Sequence, residues 1–242
     1  MKTRLDRLLV ERGLFESGEK ARRAVMAGMV SVDGARADKP GKSFDTGCRV
    51  AVAARERFVG RGGEKLAAAI EKFRVPVAGR KCLDIGASTG GFTDCLLQTG
   101  AAAVAAVDVG RGQLAQRLRE DPRVTVRERT NARYLGREDL PHGAELVTVD
   151  VSFISLDRVV PALAGIMERG ADMVALVKPQ FEAGRREVGK GGVVRDGRIH
   201  TRVVWRACAM CEECGLDIRG IMESPLIGPA GNREFFIHAR KP

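Results

Sequence analysis

Four charged residues, Lys65, Asp150, Lys178 and Glu234, adjoin apolar segments of this sequence. Asp150 and Lys178 each follow a mainly apolar run, which predicts that they end two buried parallel strands. A charge at such a place is costly unless it is paired or functional. A lysine that is partly desolvated beside another cation releases its proton more readily, so Lys178 could act as a general base. Asp150 and Glu234 could orient the ammonium groups and hold an acceptor hydroxyl.

Lys65 occupies an unfavourable position for a cation. In 61-RGGEKLAAAIEKF-73, apolar residues recur with helical spacing from Leu66 to Phe73, so we expect a helix with Lys65 at its start. The N-terminal end of a helix is the positive end of its dipole. Lys65 is therefore either incidental surface charge or an ammonium that a nearby site requires.

A glycine-rich turn, 81-KCLDIGASTGGFTD-94, follows a predicted buried strand and precedes a predicted helix. Small residues let the backbone approach a ligand at the carboxyl end of a strand, where open α/β sheets bind their ligands. Asp108 ends the next strand, where a carboxylate suits the hydroxyls of a ribose. The spacing differs from that of dinucleotide folds and lacks the lysine of a P-loop.

Strands and helices alternate from residue 78 onwards, which predicts a doubly wound α/β sheet. The predicted strands are Lys81–Gly86, Ala103–Asp108, Val124–Glu128, Leu146–Val151, Met173–Lys178, Ile218–Glu223 and Glu234–Ala239. The predicted helices are Gly91–Gln98, Gln113–Glu120, Leu156–Glu168 and Arg198–Glu213. No helix separates the last two strands, so we expect them to form an antiparallel hairpin.

The first 60 residues form a separate basic segment, with 13 Lys and Arg against 8 Asp and Glu. Two helices, Arg4–Arg12 and Ser17–Ala27, are predicted there, followed by short strands around residues 30–32 and 49–52. Lys20, Arg22 and Arg23 cluster on the second helix. The whole chain of 242 residues carries a net charge of +10, which favours a polyanionic partner.

Composition also bears on location and on the cysteines. No apolar run reaches membrane-spanning length and the N-terminus lacks the apolar part of a signal peptide, so we expect a cytoplasmic protein. Six cysteines are then expected to be reduced thiols. Cys208, Cys211 and Cys214 could ligate a metal, but their spacing spreads them around a helix, and we predict no metal site.

Several motifs together resemble known families. "RLDRLLVERGL", "SGEKARRAVMAGMVSVDG" and "KPG…GCRVAV" resemble the S4 RNA-binding domain. The glycine-rich turn with Asp108 resembles the S-adenosylmethionine site of class I methyltransferases. Lys65, Asp150, Lys178 and Glu234 occur in the order of the K-D-K-E tetrad of FtsJ-like ribose 2′-O-methyltransferases, beside "VDVSFISL" and "VKPQFE". Over nearly the whole chain, the sequence resembles the TlyA/haemolysin A family of rRNA (cytidine) 2′-O-methyltransferases.

The resemblance implies a fold, a cofactor and site residues. It implies a Rossmann-like seven-stranded sheet with an antiparallel last strand, and a small α+β S4 domain at residues 1–59. Residues 60–64 would be a linker and residues 65–242 the methyltransferase domain. S-adenosylmethionine would lie against Asp84, Gly86, Ala87, Ser88, Thr89, Gly90, Gly91, Asp108, Asn131 and Asp150. Lys178 would be the general base of the tetrad.

Ribosomal RNA or ribosomal subunits would be the partner. The predicted contact residues are Arg4, Lys20, Arg22, Arg23, Arg61, Arg185, Arg186 and Lys190. The last three belong to the glycine-rich segment 182–197, which we expect to be a mobile loop that orders on RNA. The sequence leaves the oligomeric state open, with a monomer favoured.

Three other functions compete with this interpretation. A pseudouridine synthase would share the S4 domain, but its RLD aspartate belongs in a catalytic domain, whereas residues 4–6 lie in the first S4 helix. A non-catalytic RNA-binding or ribosome-associated factor would need no tetrad. A membrane-active haemolysin would need a spanning or lytic helix, which the sequence lacks.

Overall fold

The computed structural model describes residues 2–53 and 57–242, and the chain forms two compact units that divide between residues 56 and 57. The sequence predicted a boundary after residue 59. Each unit has its own hydrophobic core.

The N-terminal unit consists of two helices and five short strands. Its helices are α1 (Leu5–Glu11) and α2 (Gly18–Met26), and its strands are β1 (Lys2–Arg4), β2 (Val30–Val32), β3 (Ala35–Arg36), β4 (Ser43–Asp45) and β5 (Val50–Val52). β1 pairs with β4, and β2 lies between β3 and β5, all antiparallel. Leu5, Leu9 and Val25 are buried between the elements. The structure confirms both predicted helices and the strands near residues 30 and 50. β1, β3 and β4 were not predicted, because two or three residues are too few to show an alternation of apolar and polar side chains.

The C-terminal unit alternates strands and helices. Its elements are α3 (Gly62–Phe73), β6 (Lys81–Ile85), α4 (Gly91–Gln98), β7 (Ala103–Val107), α5 (Gln116–Arg119), β8 (Val124–Arg127), β9 (Ala144–Val149), α6 (Val160–Ile166), β10 (Met167–Val177), α7 (Pro179–Glu182), α8 (Gly197–Glu213), β11 (Asp217–Glu223) and β12 (Phe235–Arg240). Single 3₁₀ turns lie at Ala132–Tyr134, Arg137–Asp139 and Leu156–Arg158.

The seven strands β6 to β12 form one mixed sheet in the order β11-β12-β10-β9-β6-β7-β8. β6 to β10 pair in parallel, whereas β12 runs antiparallel to both of its neighbours. The two larger hydrophobic clusters lie one on each side of this sheet, because its central strands are apolar on both faces. The predicted doubly wound sheet and terminal hairpin are confirmed.

Three boundaries differ from the prediction. α3 begins at Gly62, so residues 62–64 of the predicted linker form its first turn and Lys65 is its fourth residue. α5 is only four residues long: it begins at Gln116, and Gln113, predicted to start the helix, lines a cavity instead. The predicted helix at 156–168 ends at Ile166, since Met167 already begins β10 and pairs with Ala144.

Glycines bring α3 and α4 into close contact. A Cβ atom on Gly91, the first residue of α4, would lie 3.0 Å from the backbone nitrogen of Gly63. A Cβ atom on Gly63 would collide with the ring of Phe58. Only glycines therefore let the starts of the two helices meet, and this contact holds Lys65 beside the carboxyl edge of the sheet.

Candidate active site

Lys65 is buried against the last strand of the sheet. Its side chain is 9% exposed, and its Nζ donates a 2.5 Å hydrogen bond to Oε2 of Glu234, which is 1% exposed. Glu234 immediately precedes β12. An ammonium in the first turns of a helix is unfavourable, but the adjacent carboxylate compensates for both the dipole and the burial. Lys65 is therefore not incidental surface charge.

Lys178 forms the second pair. It follows β10 directly, and its Nζ lies 2.6 Å from Oδ1 of Asp150, the residue after β9. The same Nζ donates to Oγ of Ser152 at 2.8 Å. β9 and β10 are parallel neighbours, so their carboxyl ends bring the two charges together.

All four residues of the predicted tetrad line one cavity of about 500 Å³. The other lining residues come from the start of α3, from the segments after β9 and β10, and from the β11–β12 loop. They are Arg61, Gly62, Ser152, Phe153, Gln180, Phe181, Gly191, Gly192, Ile227, Pro229, Ala230 and Asn232. We call this space the acceptor cavity. It combines two lysine–carboxylate pairs with apolar walls.

A second cavity, of about 340 Å³, lies at the ends of β6, β7 and β9. Its lining includes four predicted cofactor residues, Gly86, Ser88, Asp108 and Asp150. Asp150, Ser152 and Phe153 line both cavities, so the two spaces share a wall. We call this space the cofactor cavity. A group transferred between molecules in the two cavities would pass beside Asp150.

The cofactor cavity fits a nucleoside-bearing ligand. Gly86 has a φ of +83°, and a Cβ atom there would collide with the carbonyl oxygen of Asp150, so the chain turns closely under the cavity without a side chain. The Asp108 carboxylate accepts hydrogen bonds from the backbone N–H groups of Ser88 at 2.8 Å and Gly110 at 2.6 Å. These bonds fix the carboxylate at the cavity wall and leave lone pairs for hydroxyl donors.

The remaining predicted cofactor residues lie outside the lining of this cavity. Asp84 is fully buried and accepts hydrogen bonds from Thr93 at 2.6 Å and Thr148 at 3.1 Å. Burial raises the pKa of Asp84 to about 7, although both bonds oppose the shift. Asp84 thus ties β6 to β9 and α4 beneath the turn.

The outer part of the glycine-rich turn supports packing. Ala87 is buried, and Gly90, with a φ of +99°, leaves room for Leu114 and Leu118. The carbonyl oxygen of Thr89 accepts a hydrogen bond from Ala115, and Gly91 contacts α3.

Asn131, predicted to recognise adenine, uses its side-chain oxygen to accept the backbone N–H of Arg133 at 3.1 Å. Its neighbours Thr130 and Ala132 line the cofactor cavity instead.

The segment after α7 is held in place by contacts with the terminal hairpin. Asn232, which is 1% exposed, donates to the carbonyl oxygen of Gly192 and accepts from the N–H of Val194. Glu187 pairs with Arg202 of α8 at 2.5 Å. These contacts place Gly191 and Gly192 in the wall of the acceptor cavity, whereas the predicted mobility of the segment stays a prediction.

The predicted RNA-contacting cations of this unit differ in setting. Arg185, Arg186 and Lys190 are exposed on the segment after α7. Arg61 lines the acceptor cavity and donates to the carbonyl oxygen of Ile227 at 3.0 Å.

Ser152, Phe153 and Asn232 also line the acceptor cavity, although their motifs did not single them out in the sequence. Phe153 is 91% exposed, has a φ of +63° and lies 5.1 Å from the Phe181 ring, centroid to centroid. A bulky residue in the left-handed region is strained, and such strain concentrates at functional sites. The position of Phe153, three residues after Asp150, could have indicated from the sequence that it belongs to the site. The role of Asn232 could not be inferred, because it depends on a loop 40 residues away in sequence.

In the N-terminal unit, the predicted RNA-binding cations are paired with carboxylates. Asp6 is 3% exposed and accepts from Arg4 Nη2 at 2.8 Å and from Arg22 Nε at 3.0 Å. The hydrogen bond from Arg4 is the main cause that lowers the pKa of Asp6 to about 2. Lys20 pairs with Glu16, and Arg23 lies 3.5 Å from Glu19. The guanidinium groups of Arg4 and Arg22 are held by Asp6 at a cavity of about 540 Å³.

Two further expectations concern metals and membranes. All six cysteines are free thiols, and burial raises the pKa of Cys208, Cys211 and Cys214. Within residues 2–53 and 57–242, no group of three or more His, Cys, Asp or Glu side chains is arranged to hold a metal ion. No helix in the same ranges combines the length and apolar character needed to span a bilayer.

Comparisons with known proteins identify both units. Residues 58–241 match the FtsJ-like methyltransferase family, and residues 3–50 match the S4 domain. The chain is 50% identical to the 16S/23S rRNA (cytidine-2′-O)-methyltransferase TlyA of Mycobacterium tuberculosis, over 99% of this chain and 90% of that protein. It is 38% identical to hemolysin A of Brachyspira hyodysenteriae, over 97% of this chain and 98% of that protein.

A solved structure shows the same architecture. A hemolysin-type protein from Streptococcus thermophilus superposes with a TM-score of 0.77 at 46% identity, covering 99% of this chain and 88% of that one.

The buried Asp84 predicts a pH-dependent stability. A carboxyl group whose pKa is raised on folding stabilises the native state below its unfolded pKa of 3.8, and this contribution is lost as the pH rises through about 7. Between pH 6 and pH 8, the free energy of unfolding of the native sequence should therefore fall by about 1 kcal/mol more than that of Asp84→Asn. Urea denaturation at both pH values measures the difference.

Asp121→Asn is the matched control. The pKa of Asp121 is lowered by its hydrogen bond from Arg123, so its contribution changes only under acidic conditions. Parallel pH dependences of Asp84→Asn and the native sequence would show that Asp84 does not titrate in this range.

Proposed function

The chain belongs to the FtsJ-like methyltransferases, in the group that includes TlyA and hemolysin A, and on this basis we propose that it methylates the 2′-hydroxyl of cytidine riboses in ribosomal RNA. It is an S-adenosylmethionine-dependent methyltransferase. The main support for a ribose acceptor is that both lysine–carboxylate pairs line one cavity beside the cofactor cavity. The choice of ribosomal RNA and cytidine rests on the activity of the TlyA relative.

The residues of the cofactor cavity suit S-adenosylmethionine. When bound, this cofactor supplies a methyl group that its sulfonium centre makes electrophilic. Asp108 would accept hydrogen bonds from the ribose hydroxyls of the cofactor, and Gly86 and Ser88 would lie along its amino-acid part. Asp84 would act indirectly, by holding the glycine turn in place through Thr93.

Lys178 is the proposed general base. Its Nζ would accept the proton of the 2′-hydroxyl as the oxygen takes up the methyl group; the carbon–sulfur bond of the sulfonium would break at the same time, and neutral S-adenosylhomocysteine would leave. The Asp150 carboxylate, 2.6 Å away, would stabilise the ammonium that this transfer creates. Ser152 accepts a hydrogen bond from Nζ and so limits its rotation. Proton transfer of this kind typically contributes about 100-fold or more in rate.

Lys65 and Glu234 are proposed to position the acceptor. Their hydrogen bond fixes the ammonium at the cavity wall, where it can donate to an oxygen of the ribose. Much of the rate would come from alignment, because both reactants are bound and one is already activated. The shared wall at Asp150 is consistent with direct transfer between the two cavities.

The two units would have different roles, RNA docking and methyl transfer. We assign RNA docking to the S4 domain, through phosphate contacts that position the enzyme without selecting a base. The assigned cations are Arg4, Lys20, Arg22 and Arg23 of the S4 domain and Arg61, Arg185, Arg186 and Lys190 of the catalytic unit. Phe153 offers an exposed aromatic face at the mouth of both cavities, on which a nucleobase could stack.

The product of the reaction tests the proposal. Ribosomes, separated subunits and naked rRNA are incubated with the protein and methyl-labelled S-adenosylmethionine, and the RNA is then digested to nucleosides. The label should appear in 2′-O-methylcytidine. A base-methylated nucleoside would contradict ribose methylation, and a different 2′-O-methylnucleoside would contradict the cytidine assignment alone.

Lys178→Arg tests the general base. Arginine keeps the positive charge and can still pair with Asp150, but it does not deprotonate near neutral pH. We expect turnover to fall by about 100-fold or more while the affinity for S-adenosylmethionine is kept. Single-turnover methylation and calorimetry measure the two quantities.

Lys81→Arg, the same change at an exposed lysine at the start of β6, is the control and should keep full turnover. Full activity of Lys178→Arg would mean that the lysine acts only through its charge.

A further inference from the structure

The C-terminal unit has a third cavity, which lies at the opposite end of the strands from the acceptor cavity. It has a volume of about 540 Å³ and opens between the end of α3 and the strands β11 and β12. Its lining includes Asp172 and Arg240, which are register partners in the middle of β10 and at the end of β12. The acceptor cavity adjoins the other ends of these strands. We call this third cavity the basic cleft.

Four cations line the basic cleft: Lys72, Arg74, Arg219 and Arg240. All four are exposed. Arg219 lies 3.0 Å from Asp217, whereas Lys72, Arg74 and Arg240 have no carboxylate at ion-pair distance within the described parts of the chain. Like charges that converge on one concavity repel one another and attract anions.

The one carboxylate in the lining of the cleft does not neutralise these cations. Asp172 is 2% exposed, and its two oxygens are engaged by Arg80 at 2.6 Å and by His238 at 2.9 Å. Arg80 is not among the residues that line the cleft. The positive charge of the four exposed cations is thus largely uncompensated.

The floor of the cleft is kept open by a glycine. A Cβ atom on Gly220 would lie 2.9 Å from the ring of Phe73, so a side chain there would displace the ring. The Phe73 ring instead lies over the sheet, with its centroid 5.4 Å from that of His238. The pairing of β11 with β12 shifts register beside Gly220. The result is a preformed concavity with an apolar floor and a cationic rim.

α3 connects the basic cleft to the acceptor cavity. Lys65 lies near one end of this helix and Lys72 at the other, about 10 Å apart along the axis at 1.5 Å per residue. Because α3 is a rigid element that contributes to both sites, a molecule bound at the cleft is held at a fixed distance from the methyl acceptor.

We propose that the basic cleft is a second RNA-docking site, which binds backbone phosphates of the substrate RNA on the side of the catalytic domain away from methyl transfer. Several exposed cations on three separate elements suit a chain of phosphates, and guanidinium groups bind phosphate oxygens in pairs. This inference rests on the proposed function, because it takes the RNA substrate as the occupant. It assigns RNA contacts beyond those of the S4 domain and the acceptor cavity.

A variant that lacks two of the four cations tests whether the basic cleft binds RNA. Lys72→Gln/Arg240→Gln removes two positive charges from exposed side chains that make no ion pair in the described ranges, and Arg74 is left intact because its φ of +54° ends α3. Each lost phosphate contact should make the slope of log affinity against log salt shallower by about 0.7 to 0.9. Two lost contacts should therefore change the slope by about 1 to 2. Binding of purified ribosomal RNA over a range of salt concentrations measures this.

Arg127→Gln/Arg137→Gln is the control with the same change of net charge. Both side chains are exposed and make no ion pair within the described residues. Arg127 ends β8, the other edge strand of the sheet, and Arg137 begins the second 3₁₀ turn, so this variant should leave the slope unchanged. In methylation assays, the cleft variant should raise the KM for RNA and keep kcat and the affinity for S-adenosylmethionine. Arg219→Gln alone should give a smaller change in the same direction.

The outcomes separate this inference from the proposed function. If the native protein methylates rRNA and the cleft variant has an unchanged salt slope, the cleft is not an RNA site. Equal losses in the cleft and control variants would also overturn the proposal. If AMP or inorganic phosphate binds the native protein but not the cleft variant, while RNA binding is equal, the cleft serves a small anion instead. If the native protein methylates no RNA, the proposed function itself fails.

Discussion

The fold has to bring together two lysine–carboxylate pairs that are largely removed from water, and the rest of the structure depends on this constraint. An ammonium taken out of water costs several kcal/mol unless a carboxylate lies beside it, and removal of one partner from a buried pair typically destabilises a protein by about 3–5 kcal/mol. Lys65 and Glu234 are separated by 169 residues in sequence, yet their side chains are 2.5 Å apart. The N-terminal helix of the catalytic unit and the terminal hairpin must therefore both be in place before either charge is satisfied.

The glycines of the catalytic unit make this closure possible. Gly91 and Gly63 let α4 and α3 meet backbone to backbone, and Gly86 lets the first strand turn directly beneath Asp150. The motif that marks a cofactor site in the sequence thus has two functions in the structure. Its first glycine and Ser88 border the cofactor cavity, whereas Gly91 contacts the helix that carries Lys65 and Gly90 leaves room for Leu114 and Leu118. One short turn thus forms both a cavity wall and a helix contact.

Much of the architecture follows from local sequence patterns. Apolar runs ending in Asp150 and Lys178 identified adjacent parallel strands, and the lack of a helix before Glu234 identified the terminal hairpin. What the patterns could not supply depends on tertiary contacts. The side chain of Asn131 closes its own turn, and Asp84 is enclosed by Thr93 and Thr148. The basic cleft combines α3 with β11 and β12, which are about 150 residues apart, so no local spacing could reveal it.

Lys65 and Glu234 are proposed to act as one positioning unit. A double-mutant cycle with Lys65→Met, Glu234→Gln and the combined variant tests it, with single-turnover methylation as the main readout and cofactor affinity and thermal melting as controls. Each single change should slow methylation by about 100-fold with cofactor affinity kept, and the double variant should be no slower than the slower single one. Multiplied losses in the double variant would contradict the account, because the two residues would then act independently.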